Sequence, residues 1–239
     1  MRALKIIGWS TYLQTLSFLR VKEALFFALI FPLLLFVMFG FIWGATEGGA
    51  YTAFLLTGII GMTIANDAIY GVGPVIKNLR GSNLLKMLRC TPMPVLYHFT
   101  GLIVSRMVVM LVTIGLLLIL AAVIFGYLPS GSEFGLIGLG IVVGTAVFSL
   151  LSLVLTLAGS KYGDGAVLNL VFFVMLFLSG AFFPIEEDTW LGKFASTLPL
   201  THLVGFLRGD TSWLPALLAW TVAGAFLFSV AFRRHEIKR

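Results

Sequence analysis

The sequence predicts an all-α, polytopic membrane protein: six transmembrane helices, an amphipathic amino-terminal helix in the membrane interface, and re-entrant external helices before the last span. Three observations predict it. Of 239 residues, 59% are hydrophobic and 11% charged, with a mean hydropathy of +1.06, whereas a soluble domain carries about 25% charged residues. Six stretches, 24–43, 53–75, 107–125, 136–158, 166–183 and 213–232, match the ~20 apolar residues that cross a hydrocarbon core of ~30 Å. None alternates as a membrane-barrel strand does, so each must satisfy its backbone internally as a helix. The charges are also sorted by side. Of 16 lysines and arginines, all but Lys193 and Arg208 fall on one side of a six-span topology, while Glu47, Glu133, Glu186, Glu187, Asp188 and Asp210 fall opposite. By the positive-inside rule both termini and the basic 77–94 loop are cytoplasmic; the expected location is a cytoplasmic (inner) membrane. The net charge of +6 then reflects topology and gives no reason to expect nucleic acid as a partner. No repeat or soluble insert divides the chain, so residues 1–239 are one membrane domain.

Residues 3–20 have a helical period. Ile6, Trp9, Tyr12, Leu13, Leu16 and Leu19 share one arc; Ser10, Thr11, Gln14, Thr15 and Ser17 share the other, with Arg2, Lys5, Arg20 and Lys22 around them. Such a helix is expected to lie in the cytoplasmic interface; the alternative is an extension of a long first helix. The first span follows at 24–43 with no small-residue cleavage site after it, and is read as retained rather than as a signal peptide.

The second span, 53–75, carries Asn66 and Asp67. Asp67 is the costliest residue of the chain, because an ionised carboxylate near mid-helix costs about 2.5–3.5 kcal/mol on insertion scales. Arg106 enters the third span from the same side and can snorkel toward it, so an Asp67–Arg106 pair is expected. Between these spans lies a basic, leucine-striped segment, "LRGSNLLKMLRCTPMP" (79–94). Topology accounts for its charge but not for its stripe. The fourth span repeats Thr145, Ser149, Ser152 and Thr156 on one face, beside a Gly140/Gly144 pair; small hydroxylated faces let membrane helices approach and hydrogen-bond, or line a pathway. The fifth offers Phe172, Phe173, Met175 and Phe177, followed by Phe182. The long external connection, 184–208, is too polar to span yet keeps Trp190, Leu191, Phe194, Leu198 and Leu200, which suggests short helices dipping into the outer leaflet; an exposed loop is the alternative.

Several chemistries are excluded. No GxxxxGK[ST], HExxH or GxSxG occurs, so the chain holds no phosphate-cradling loop, metalloprotease or hydrolase motif. His98, His202 and His235 lack metal-ligand spacing, and the single Cys90 has no partner for a disulfide or metal site. "KYGDG" at 161–165 resembles an intramembrane aspartyl-protease motif but has Lys161 where glycine is needed, and Asp164 sits in turn-forming sequence.

Two local patterns carry a resemblance. "FFPIEEDTW" followed by "LPLTHLVGFLRG", residues 182–209, places a Phe-Pro (Phe183, Pro184) after a span, then Trp190, then Pro199 and Thr201 ahead of Arg208. In the basic loop, Gly81-Ser82 opens a short segment and Thr91-Pro92 closes it. With the six spans, these features resemble the permease subunit of a type-2 ABC exporter, over essentially the whole chain. The loop departs from that pattern in carrying Arg80, Asn83 and Lys86, where members often have glutamates.

The resemblance implies a non-catalytic subunit that works as a dimer, with a second copy or a homologous permease, on two separately encoded ATPase subunits that bind ATP and Mg. This chain would need no cofactor or metal of its own. Residues 79–92 would form the coupling helix, with Leu84, Leu85, Met87 and Leu88 entering the ATPase groove, Lys86 and Arg89 flanking them, and Pro92 and Pro94 ending the helix; lipid-surface anchoring is the competing use of that stripe. A pathway lined by the phenylalanines of the fifth span would favour a hydrophobic or amphipathic drug, lipid or antibiotic, the family's other cargo class being polysaccharide, though the same rings serve equally well against lipid or a partner subunit. A channel or secondary carrier would need no ATPase and would usually show repeats or discontinuous helices with ion-binding carboxylates, which this sequence lacks.

Overall fold

A computed structural model of the chain describes residues 2–47, 49–81, 95–158, 164–184 and 188–237. Their regular structure is helical, with no strand among the described residues: α1 (Arg2–Leu19), α2 (Lys22–Leu25), a π-helical turn (Phe26–Ile30), α3 (Phe31–Glu47), α4 (Gly49–Gly81), α5 (Val95–Phe125), α6 (Gly131–Ala158), α7 (Asp164–Leu178), α8 (Trp190–Ala195), α9 (Pro199–Leu207), a 3-10 turn (Thr211–Trp213) and α10 (Leu214–Ile237). Gly81 ends α4; Ser82, Leu84, Leu85, Met87, Leu88, Arg89, Thr91 and Pro92, the expected coupling residues, lie outside the described residues.

Five stretches are long and apolar enough to cross a membrane: Lys22–Gly44, Ala50–Val75, Thr100–Phe125, Gly131–Thr156 and Thr211–Val230. The run read as a fifth span, 166–183, is helical only to Leu178. Gly180, at φ 68°, turns the chain out of the helix in the left-handed conformation that glycine adopts without steric cost. The 15 residues of α7 reach about 22 Å at 1.5 Å per residue.

The helix α4 is central. Of its membrane-length stretch 83% is buried, against 11% for α10, and it packs against α3, α5, α6, α7 and α9. The rim helices turn apolar side chains outward: Val123, Phe177, Val222 and Phe226 are all exposed. An apolar surface of this extent suits hydrocarbon and not water.

Two short-range devices shape the connections. Ser130 and Glu133 form a capping box at the start of α6: the Ser130 N–H donates to the Glu133 carboxylate, and the Glu133 N–H donates to Ser130 Oγ at 3.5 Å. The Tyr127 hydroxyl donates to the same carboxylate at 3.1 Å. Thr189 caps α8 by accepting from the Gly192 N–H at 3.0 Å.

The segment before the last span does not run as an exposed loop. Trp190 on α8 is exposed, but on α9 Leu200, Leu203, Val204, Phe206 and Leu207 are each at most 1% exposed. Pro199 opens α9, at a helix position where its missing N–H costs nothing. Glycines on two neighbours make room for it: a Cβ on Gly61 would lie 2.8 Å from Val204, and one on Gly144 would lie 2.9 Å from Leu203. Gly61 is 11 residues beyond Ala50, about 16 Å along the span, so α9 touches α4 well inside its membrane-length stretch.

The helix α1 stops at Leu19 and is separate from the first span. The part of its polar arc formed by Ser10, Thr11, Gln14 and Thr15 is turned toward the protein, while Ser17 is exposed. Ser10 is buried, Thr15 shares a hydrogen bond with Ser105 of α5 at 2.8 Å, and a Cβ on Gly101 would meet Ser10 Oγ at 2.5 Å. Its apolar arc faces outward, with Trp9, Tyr12 and Leu13 more than half exposed.

Candidate functional site

Asn66 and Tyr70 are one helical turn apart and share a face of α4. Asn66 Nδ2 donates to the Phe27 carbonyl in the π-helical turn at 3.4 Å. The Tyr70 hydroxyl donates to Asn169 Oδ1 of α7 at 2.6 Å. One stripe of α4 therefore ties the first span on one side and α7 on the other. Phe172 stands edge-on to Tyr70 at 5.6 Å and against Phe173 at 5.8 Å, and Phe173 stacks on Phe177 at 6.4 Å. Of the aromatic residues expected to line a pathway, Phe172 and Phe182 are buried, whereas Phe173 and Phe177 are 48% and 69% exposed. Asn169 is exposed beside them. The Tyr70–Asn169 bond leaves hydroxyl lone pairs and amide donors with capacity for a further partner. The result is a hydrogen-bonding pair set into an open phenylalanine face.

The expected Asp67–Arg106 pair takes a different form. Arg106 lies within electrostatic reach of Asp67, but Asp67 Oδ2 and Arg106 Nε are both buried without a hydrogen-bond partner. The Arg106 stem crosses Gly71, where a Cβ would sit 2.8 Å from its Cδ, and the guanidinium rests over the Phe18 ring of α1 at 4.2 Å. A cation over an aromatic face gains about 0.5–2 kcal/mol, and this contact links α1 to the α4–α5 pair.

On α6, Ser152 Oγ donates to the Ile69 carbonyl of α4, and Thr156 donates to Ser152 O at 2.6 Å. A Cβ on Gly73 would overlap both hydroxyls, so this end of the hydroxylated face packs tightly on α4. Thr145 Oγ1 and Ser149 Oγ are buried without a partner.

At the α3–α4 turn end, Phe39, Trp43, Phe182 and Phe183 form a ring cluster with centroids 5.2–5.9 Å apart. Pro184 is exposed beside it. Arg208, at the end of α9, donates to the Gly180 carbonyl at 2.9 Å and sits over the Phe54 ring at 3.7 Å. Burial pushes its pKa down to about 10, so it keeps its charge near neutral pH. Thr201 Oγ1 is buried without a partner. His202 shares a 2.8 Å bond with the Ser196 carbonyl and stacks on Trp213 at 5.0 Å; burial holds its pKa below 6.5, with the Ser196 carbonyl acting in the opposite sense.

Sequence reasoning found Asn66 and the phenylalanines but missed Tyr70, Asn169 and Phe18. Signals existed for two of them: Tyr70 follows Asn66 by one turn, and Asn169 is the one amide in the apolar run of α7. Among the described residues no group of three or more His, Cys, Asp or Glu side chains is placed to hold a metal ion.

No curated protein matches the sequence. The family model described as ABC-2 type transporter matches residues 4–210, a range that holds most of α1, the first four membrane-length stretches, α7 and the buried α9. The chain belongs to the ABC-2 type transporter family and is a multi-pass transmembrane subunit of an ABC transporter.

Proposed function

We propose that the chain is the non-catalytic membrane half of an ATP-driven exporter, working as a permease dimer on two ATPase subunits that bind ATP and Mg, and that its cargo is hydrophobic or amphipathic. The observation that carries the cargo reading is the Tyr70–Asn169 pair with exposed Phe173 and Phe177 beside it. Polar groups at membrane depth are costly against lipid and are by default functional. Exposed hydrogen-bonding capacity on an aromatic wall suits a molecule with a large apolar body and a few polar groups. In this reading α7, continued by the segment after Gly180, completes a sixth span; α8 and α9 are re-entrant from the outer side; both termini are cytoplasmic; and the outward arc of Trp9, Tyr12 and Leu13 on α1 lies in the lipid interface. The segment 79–92 is the coupling helix.

The test is ATPase activity of the reconstituted permease–ATPase complex against a panel of lipids, amphipathic drugs and glycans. Stimulation by amphipathic compounds is expected, weakened several-fold by Tyr70→Phe combined with Asn169→Leu. Stimulation by glycans alone would overturn the cargo reading and leave the family assignment intact.

A further inference from the structure

The first span contains an irregularity that its sequence causes. Pro32 carries no N–H, so one upstream carbonyl must go without a backbone partner: that of Ala28 in α register, or that of Phe27 in π register. The turn Phe26–Ile30 is π-helical, and the Phe31 N–H reaches back five residues to the Phe26 carbonyl. The two carbonyls at stake are both met by side chains from other helices. Asn66 of α4 donates to Phe27 O at 3.4 Å, and Thr113 of α5 donates to Ala28 O at 3.2 Å.

These clasps are built to release. Thr113 has one hydroxyl proton, and the Val109 carbonyl of its own helix lies at 3.1 Å, so it can leave Ala28 without becoming an unpaired donor. The Asn66 bond is long, and Asn66 is half-buried, so its amide has access to another acceptor. The two sides of the turn are also held by different kinds of contact. Before it, α1 is fastened along α5 by Thr15–Ser105 and by Phe18 under Arg106. Beyond it, α3 is held by apolar packing: Phe36, fully buried, meets the Phe125 ring of α5 at 5.5 Å, and the far end of α3 is held by Phe39 and Trp43 against Phe182 and Phe183.

We infer that Phe26–Ile30 with Pro32 is a hinge, that Asn66 and Thr113 clasp it in the present state, and that α3 swings about it as a gate beside the Asn66–Tyr70 stripe. Asn66 and Thr113 are positioning residues; they act through the backbone of the first span. The swing separates Phe36 and Phe41 from Phe125 and Phe39 and Trp43 from the Phe182–Phe183 segment, and exposes the stripe that bears Tyr70. Only the nucleotide arm of the test below rests on the transport reading.

The test places spin labels on p-acetylphenylalanine at Phe41 of α3 and Phe226 of α10, both exposed, in labelled subunits diluted with unlabelled ones within the full permease–ATPase complex. Phe41 is 11 residues beyond Ile30, about 16 Å along the helix, so a change of ~20° in kink moves it by roughly 5–6 Å. The dipolar distance distribution is expected to hold two populations separated by about that shift, with ATP trapping changing their ratio. Thr113→Val with Asn66→Leu is expected to favour the released population without nucleotide. Pro32→Ala, which restores an N–H, is expected to leave one population and to make the Asn66 and Thr113 substitutions silent. A control label at Lys5, before the hinge, should report one distance to Phe226 throughout. A single distribution shared by wild type and all variants would overturn the hinge, as would equal shifts from Lys5 and Phe41. Two populations insensitive to ATP would keep the hinge and remove its role in the transport cycle.

Discussion

Gly58→Ala adds one carbon at a place where the backbone has no room for it. A Cβ on Gly58 would lie 1.9 Å from the Ala181 carbonyl oxygen and 2.7 Å from its carbon. Ordinary contact begins at 3.4 Å, so the chain after α7 must retreat by about 1.5 Å, the difference between 3.4 and 1.9. The obstacle is backbone, which no rotamer change relieves. Overpacking of this kind costs about 1–3 kcal/mol. The displaced segment carries Phe182 and Phe183 of the ring cluster and adjoins the Gly180 carbonyl that accepts from Arg208, so the cost spreads across the α3–α4 turn end. Gly138→Ala is the matched control, since a Cβ there meets nothing within 4 Å and alanine is the better helix former by up to ~1 kcal/mol. Thermal unfolding in lipid nanodiscs, followed by loss of monodisperse protein, should show Gly58→Ala about 2–12 °C below wild type, from about 1–3 kcal/mol at about 2–4 °C per kcal/mol for a chain of this size, and Gly138→Ala at or above it. Equal midpoints for the two variants would refute the close approach of α4 to Ala181.

Three further outcomes rest on contacts described above, and a fourth on the coupling reading of residues 79–92. Tyr70→Phe removes the bond to Asn169 and should lower stability by only about 1 kcal/mol, while reducing ATPase stimulation by amphipathic compounds more than basal ATPase; an equal loss of both would argue for a packing role alone. Arg208→Lys keeps the charge but loses the planar stack on Phe54 and the fork that reaches Gly180, and a thermal midpoint equal to wild type would show that charge alone matters there. His202, held below 6.5 by burial, stays neutral in the folded state while the unfolded chain takes up a proton, so stability is full above pH 6.5 and falls as pH drops through the folded pKa; His202→Gln should flatten that slope, measurable by thermal scans from pH 7.5 to 5. Leu84→Ser with Leu88→Ser should detach or uncouple the ATPase in pull-down and turnover assays while the permease still inserts, whereas retained coupling would favour lipid anchoring of that stripe.

The sequence made the membrane class and the family legible because they rest on long apolar runs and on local patterns such as Phe183-Pro184 and Leu198-Pro199. It was less informative about which faces meet. In water an apolar arc points inward; in lipid apolarity does not separate a buried side chain from a lipid-facing one, and small or polar residues mark the contacts. On α1 the period of Trp9, Tyr12 and Leu13 was visible, yet it is Ser10 and Thr15 that pack on α5. The same logic places Ser152 against Ile69 and Gly144 beneath Leu203. Asp67 and Arg106 were matched by depth along their helices, but a long, flexible arginine chooses among partners, and the Phe18 ring on a third helix was not readable from spacing. Tyr70–Asn169 escaped notice because it joins residues 99 positions apart.

The central claim, a cargo-facing surface on α4 and α7 of a permease that borrows its ATPase, is tested most directly by titrating an amphipathic cargo panel against ATP turnover of the reconstituted complex, wild type beside Tyr70→Phe/Asn169→Leu. The account predicts saturable stimulation in the wild type and a several-fold higher half-stimulating concentration in the variant, with basal turnover preserved. Identical titrations for the two complexes would contradict it.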